Sequence, residues 1–427
     1  MTVQSAALPS PPVRASRRLW GNLAFSCLLG STSTSALGAS ITAISLSWLI
    51  YHYTGSTLDI AYLGLTGVVP GAVLGLLAGV LADRYDRRKL MVTSDVVRAL
   101  SIAVLAGTLY LLGFSLILIL AVMTLVYSFF ALFFPASSAL LPRIVPPAQL
   151  DDANGILSAS AQLGSAIGAG VGGLAIAFVG AIAGLGINVG TYAVSALLLF
   201  QIAPEFGRVR TSGSPASRSI RREFLEGLAY MRDHLPILEI TLGFLPASVF
   251  YPLITNYFVV YSDVVLGPSP TLFGYLVGTM TAGAATGALL VGRLRARQFA
   301  GMTMGLGLLI MAGAAFLMVV DRSLPGALGG AGVLGLAIGF IGTTYYSTMQ
   351  AIVPNEVLAR VLSIDMVGSL VAVPAGLLLG GVLASSHGIL FTYTLGATGL
   401  LADGVLLLAL PGVRSVRYSP PVDAERS

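Results

Sequence analysis

Residues 144–150 read Ile-Val-Pro-Pro-Ala-Gln-Leu, and residues 352–358 read Ile-Val-Pro-Asn-Glu-Val-Leu. The two stretches lie 208 residues apart, and the same offset joins other positions. Gly75 and Gly79 match Gly283 and Gly287, Leu81 matches Leu289, and Arg87 matches Arg295. Gly168, Gly172 and Gly173 match Gly376, Gly380 and Gly381. Glycine matches alone would follow from composition, since 51 of 427 residues are glycine; three separated regions on one offset do not. The chain is therefore an internal duplication.

Each copy is built of apolar runs. Hydrophobic residues make up 56% and charged residues 10%, with a mean hydropathy of +0.89. A soluble domain carries about 25% charged residues, so a solvated surface cannot be made here. Runs long enough to span hydrocarbon are predicted near 20–50, 58–82, 90–112, 115–141, 153–179 and 182–203. A second set falls near 237–261, 271–292, 299–320, 326–351, 361–385 and 389–411. The runs are continuous and lack the short alternation of barrel strands. The expected fold is an all-α membrane protein with twelve transmembrane helices in two pseudo-symmetric six-helix bundles. Residues 1–19 read as a cytoplasmic tail, 20–203 as the N-terminal bundle and 204–236 as a cytoplasmic linker. Residues 237–411 read as the C-terminal bundle and 412–427 as a second cytoplasmic tail. In the linker, Thr211 to Ser217 reads as flexible, and Arg221 to Met231 as an amphipathic helix with Phe224, Leu225 and Leu228 on one side. Six spans per copy give both copies the same orientation, and parallel repeats around a central site are a transporter architecture.

Charge sets the orientation. With the N-terminus inside, the inner segments hold 21 Arg and Lys residues and the outer loops hold only Arg322. Both termini are then cytoplasmic. The net charge of +5 reflects this topology and not nucleic-acid binding. Cys27 is the sole cysteine, and His52, His234 and His387 lie far apart, so neither a disulfide, a metal site nor a catalytic triad is expected.

At Gly79 to Lys89 the chain reads GVLADRYDRRK. This resembles the signature between the second and third helices of the major facilitator superfamily. Gly79, Leu81, Asp83, Arg84, Arg87 and Arg88 match it, while Asp86 replaces its second glycine. YHYTGS after the first span, Pro135 to Asn154, and Val353 to Ser363 resemble the drug-efflux branch, which includes enterobactin exporters and macrolide-efflux permeases. The resemblance covers essentially the whole chain. It implies residence in the inner (cytoplasmic) membrane and export coupled to the proton gradient. It also implies a gating role for Gly79, Asp83, Arg84, Arg87 and Arg88, and a cavity lined by the first, fourth, seventh and tenth spans. An efflux-type proline is absent from the fifth span, where Ala169 stands, and the fourth span has no arginine before Arg143.

On those spans, Ser35, Tyr127, Phe130, Phe134, Tyr251, Asn256, Tyr257, Tyr345, Tyr346 and Gln350 are the candidate cavity residues. The density of Ser and Thr between Ser31 and Ser47 also points to a wet face. Gly164, Gly168, Gly172, Gly376 and Gly380 are candidates for close helix packing, those of the fifth span against the opposite half. Ionisable residues inside a membrane are functional suspects. Asp95 and Arg98, three residues apart, are expected to pair near the inner surface. Glu239 is placed at the water interface and Asp403 deep on a peripheral helix, leaving Asp365 as the first choice for proton coupling.

The function expected is secondary active export of amphipathic small molecules, such as a siderophore, antibiotic or drug, by alternating access and proton antiport. Import or uniport of an organic solute is the alternative. An ATP-driven pump would need G-x-x-x-x-G-K-[ST], and Lys89, the only lysine, lies outside such a motif. An intramembrane enzyme would need a catalytic constellation at depth, which the histidine positions argue against. The expected partners are substrate, protons and the bilayer, with no cofactor, no metal and a functional monomer.

Overall fold

Helix ends follow capping chemistry written in the chain. The computed structural model of the protein describes residues 19, 21–207, 220–293 and 300–416. Helix α1 spans Leu23–Thr54; the Asn22 side chain accepts from the Phe25 amide at 3.2 Å, and Gly55 closes it at φ 61°. Ser56, Asp86, Ser115 and Ser323 likewise open α2 (Thr57–Arg84), α3 (Arg87–Leu112), α4 (Leu116–Ile144) and α10 (Leu324–Ile352). The remaining long helices are α5 (Leu150–Val179), α6 (Ala181–Phe200), α8 (Pro270–Arg293), α9 (Ala300–Val320), α11 (Asn355–His387) and α12 (Ile389–Ala409). Between α6 and α8 run a linker helix, Ile220–Asp233, and the segmented α7, Leu235–Leu266. Among the described residues, eleven helices are long and apolar enough to cross a membrane. The 28-residue α2 stands beside them in the same packing.

The duplication is visible in the packing. In the first half α1 packs on α5 and α6, α3 on α4 and α6, and α2 on α4. In the second half α7 packs on α11 and α12, α9 on α10 and α12, and α8 on α10. These are the same pairings six helices on. The two main contacts between halves, α2 with α11 and α5 with α8, also exchange under this rule.

The contacts between halves gather at the α1–α2 end of the molecule. Thr57 Oγ1 donates to the Gly381 carbonyl at 2.6 Å, and Asn256 Nδ2 donates to the Ile60 carbonyl at 3.4 Å. A Cβ at Gly173 would stand 2.7 Å from the Pro270 carbonyl oxygen and 2.9 Å from Gly274 Cα. At the opposite end Arg87 donates to the Ala139 carbonyl of its own half at 3.1 Å, and Arg360 pairs with Glu226 of the linker helix at 2.9 Å.

Several expectations are corrected. The span predicted as continuous at 237–261 is broken into Leu235–Gly243, Leu245–Phe250, Pro252–Thr255 and Phe258–Tyr261, with a π turn at Ser262–Leu266. Pro246 and Pro252 supply no backbone N–H, which interrupts the ladder. Gly164, Gly168 and Gly172 do allow close approach, but to Ser33, Leu37 and Ile41 of α1 in their own half. The residues of α5 that meet the other half include Ala166, Ala169, Gly170 and Gly173, against Pro270, Gly274 and Gly278 of α8. Gly376 and Gly380 lie on Val249 and Tyr257 of α7. In the linker helix the packed residues are Gly227 and Met231, whereas Leu228 is exposed. The side chains of Phe224 and Leu225, the other two residues of the expected apolar side, lie outside the described residues. The flexible stretch Thr211 to Ser217 and both tails beyond residues 19 and 416 lie outside the described residues.

Candidate functional site

Two cavities flank the junction of the halves, and the 208-residue offset relates one to the other. The first, about 820 Å³, lies mainly between α1, α4 and α5. The second, about 620 Å³, lies mainly between α7, α10 and α11. Equivalent positions line both. On α1 and α7 these are Ala36 and Phe244, Ala39 and Ala247, and Ser40 and Ser248. On α4 and α10 they are Phe130 and Ile338, Phe133 and Ile341, Phe134 and Gly342, Ser137 and Tyr345, and Ser138 and Tyr346. On α5 and α11 they are Leu157 and Asp365, Ala161 and Ser369, and Ser165 and Val373. The opposite half also contributes to each cavity: Thr281 enters the first wall, and Gly64 and Val68 the second.

The expected cavity residues divide between the two. Ser35, Tyr127, Phe130 and Phe134 line the first; Tyr251, Asn256, Tyr345, Tyr346 and Asp365 line the second. Tyr257 and Gln350 line neither. Tyr257 is fully buried, its hydroxyl donating to the Leu377 carbonyl beside Gly380, so it is a packing residue of α7 on α11. Gln350 is exposed on the last turn of α10. The fifth and eleventh helices, left out of the expected lining, contribute a wall to each cavity.

The hydroxyls of α1 serve three purposes. Thr32, Ser35 and Ser40 line the first cavity. Ser33 and Thr34 return bonds of 2.7 Å to the Leu29 and Gly30 carbonyls of their own helix. Ser31 meets Ser195 Oγ at 2.8 Å, and Thr42 accepts from Asn188 Nδ2 at 2.6 Å, so both join α1 to α6.

Asp95 and Arg98 do pair, Nη1 to Oδ1 at 2.9 Å, and both are buried among the helices, at 0% and 2% exposed. Ser195 also donates to Asp95, and Arg98 Nη2 donates to the Tyr192 hydroxyl at 2.7 Å. Arg98 reaches the wall of the first cavity, to which α4 brings no arginine before Arg143. An arginine three turns into α3 can reach the same space because α3 packs along α4.

Elsewhere the charged residues do local work. Arg88 Nε donates to the Leu199 carbonyl at 3.1 Å and its Nη2 to the Phe200 carbonyl, so this cation closes the C-terminus of α6, where it is electrostatically favoured. Asp86, the departure from the family signature, is the N-cap of α3 and accepts from the Lys89 amide at 3.0 Å. The side chains of Gly79, Asp83 and Arg84 lie outside the described residues. Glu239 accepts from the Val413 amide at 3.2 Å and so holds the segment after α12. Asp403 is 2% exposed, and neither carboxyl oxygen has a hydrogen-bond partner among the described residues. Its helix is not peripheral at this point, because α7 and α9 cover it.

A model of the Major Facilitator Superfamily matches residues 28–365. The chain is 28% identical to the multidrug efflux pump Tap of Mycolicibacterium fortuitum, over 91% of this chain and 96% of that protein. It is 23% identical to macrolide efflux protein A of Streptococcus pyogenes, over 92% and 97%. Among solved structures, a bacterial homolog of the human lysosomal transporter Spinster, in an inward-facing and unoccupied conformation, superposes with a TM-score of 0.68. That match has 17% identity and covers 93% of this chain and 99% of the other.

Proposed function

The chain belongs to the major facilitator superfamily, in its drug-efflux branch, and so is a transporter of small organic molecules and not an enzyme; we propose that it exports amphipathic compounds by alternating access, driven by proton antiport. The observation that carries this reading is the pair of repeat-related cavities at the junction of two halves that meet at one end. Two halves rocking about such a junction expose the cavities first to one side and then to the other. In this reading α1–α12 are twelve membrane spans in two six-helix bundles, at 20–203 and 237–411, with both termini in the cytoplasm. The closed α1–α2 end then faces outward, and the described conformation opens inward. Asp365, in the wall of the second cavity, is the carboxylate that exchanges a proton for substrate. Asp83 belongs to the network that closes the inner side.

The test is efflux from proteoliposomes loaded with a fluorescent drug under an imposed pH gradient. Flux should stop when a protonophore collapses the gradient, and Asp365→Asn should lose the dependence on the gradient while staying inserted. Flux that persists without a gradient would identify a uniporter. Flux toward the proton-poor side along with protons would identify an importer.

A further inference from the structure

The first cavity holds a cation that the second lacks. Arg98 lines it, and the repeat places Leu306 at the equivalent position of α9. Two of the three guanidinium nitrogens are committed, Nη1 to Asp95 at 2.9 Å and Nη2 to Tyr192 at 2.7 Å. Nε has no hydrogen-bond partner among the described residues, although Arg98 is only 2% exposed. The rings of Phe130, Phe133 and Tyr192, at 5.4, 5.7 and 4.1 Å from the guanidinium carbon, fix the plane of the group. A small annex of about 80 Å³ adjoins it, lined by the same Arg98, Phe130 and Tyr192.

A buried N–H without an acceptor is costly, and a ligand that brings one recovers that cost on binding. Charge decides which acceptor. Asp95 already neutralises Arg98, so a carboxylate would add an uncompensated negative charge at a site removed from water. A carbonyl, amide or lactone oxygen adds none. The rest of the wall suits an apolar, aromatic body, through Tyr127, Phe130 and Phe134. The second cavity offers the opposite arrangement, a carboxylate beside two tyrosine rings, which suits a cation.

We propose that Arg98 is a ligand-binding residue of the first cavity, donating its Nε–H to a neutral acceptor oxygen of amphipathic substrates, while cations bind beside Asp365 in the second. This assignment of substrate class rests on the exporter reading above. The test uses the full-length protein in nanodiscs and three probes. Chloramphenicol is neutral and aromatic with an amide oxygen, ethidium is a cation without an acceptor oxygen, and fluorescein is a carboxylate. Arg98→Lys keeps a cation against Asp95 but removes the Nε–H. The double variant Asp95→Asn/Arg98→Gln removes both charges together, and either variant serves if the other fails to fold. Both should weaken chloramphenicol binding by about tenfold and change ethidium binding less than about twofold. Asp365→Asn should do the reverse. Unchanged chloramphenicol binding in the Arg98 variants, or equal losses for both probes, would reduce Arg98 to a structural role. Fluorescein binding more tightly than chloramphenicol through Arg98 would overturn the neutral-acceptor assignment. A wild-type protein that binds neither chloramphenicol nor ethidium would overturn the exporter reading, and this one with it.

Discussion

The two cavities occupy equivalent positions in two copies of one unit, yet their chemistry has diverged. Where the first has Ser137, Ser138 and Leu157, the second has Tyr345, Tyr346 and Asp365. Where the second half has Thr303 and Leu306 on α9, the first has the buried pair Asp95 and Arg98 on α3. The helices beside them differ as well. α1 runs unbroken for 32 residues, whereas its counterpart α7 is cut by prolines into short segments. Of the positions that hold the halves together, Gly173 and Gly381 are shared, and on α1 and α7 the cavity residues Ala39 and Ser40 recur as Ala247 and Ser248; none of the paired cavity positions of α4 and α5 recurs unchanged in α10 and α11. Duplication thus gave the protein two equivalent frames around one junction. Divergence inside the cavities then gave it two walls of different polarity.

Exchanging residues between equivalent positions tests that comparison directly. The largest effect is expected at the buried ion pair. Arg98→Leu, the residue of the second half, strands Asp95 in the interior and should cost about 3–5 kcal/mol of stability. Adding Asp95→Thr, again the second-half residue, should restore most of it; thermal unfolding in detergent measures both. No recovery in the double variant would mean that Arg98 stabilises the fold through its ring contacts and not through the pair.

Asp365→Leu gives the second cavity the residue of the first. It should reduce gradient-driven flux at least about tenfold, equivalent to about 1.4 kcal/mol, with little change in unfolding temperature. Leu157→Asp in that background asks whether the acid works from the equivalent place. Recovery of coupled flux would mean that the two cavities are interchangeable, which would break the comparison.

Smaller effects are expected from the ring contributions. Tyr345→Ser and Tyr346→Ser, the residues of the first half, should each weaken ethidium binding by about 0.5–1 kcal/mol, read as a change in Kd. The smallest effect concerns caps. Asp86→Gly restores the residue of the family signature and removes a side-chain cap that glycine replaces at a cost of a few tenths of a kcal/mol. Unfolding temperature should fall by about a degree or less, and transport should be unchanged.

Much of this was legible in the chain. The 208-residue offset and the tyrosines and acid of α10 and α11 can be read directly from the chain. The pairing of the cavities was also within reach of the sequence, because adding 208 to eight of the α4 and α5 lining positions names a residue that lines the second cavity. Other features were not legible. Gly164 and Gly173 lie in one glycine-rich run, but nine residues around a helix turn them toward different neighbours, one to α1 and the other to α8. Tyr257 and Tyr251 look alike in sequence, and only packing sends one into α11 and the other into the cavity.

The sequence alone determined that this is a duplicated, helical membrane transporter, because hydropathy, arginine placement and repeat offset act residue by residue and need no partner. The tertiary structure decided which groups face the cavities, at which end the described contacts between the halves gather, and that Arg98 lines the first cavity. Those properties depend on the rotation of each helix about its axis and on the neighbour it meets. A stretch of apolar sequence leaves both open, because in a lipid environment nearly every face of a helix is hydrophobic and periodicity no longer tells inside from outside.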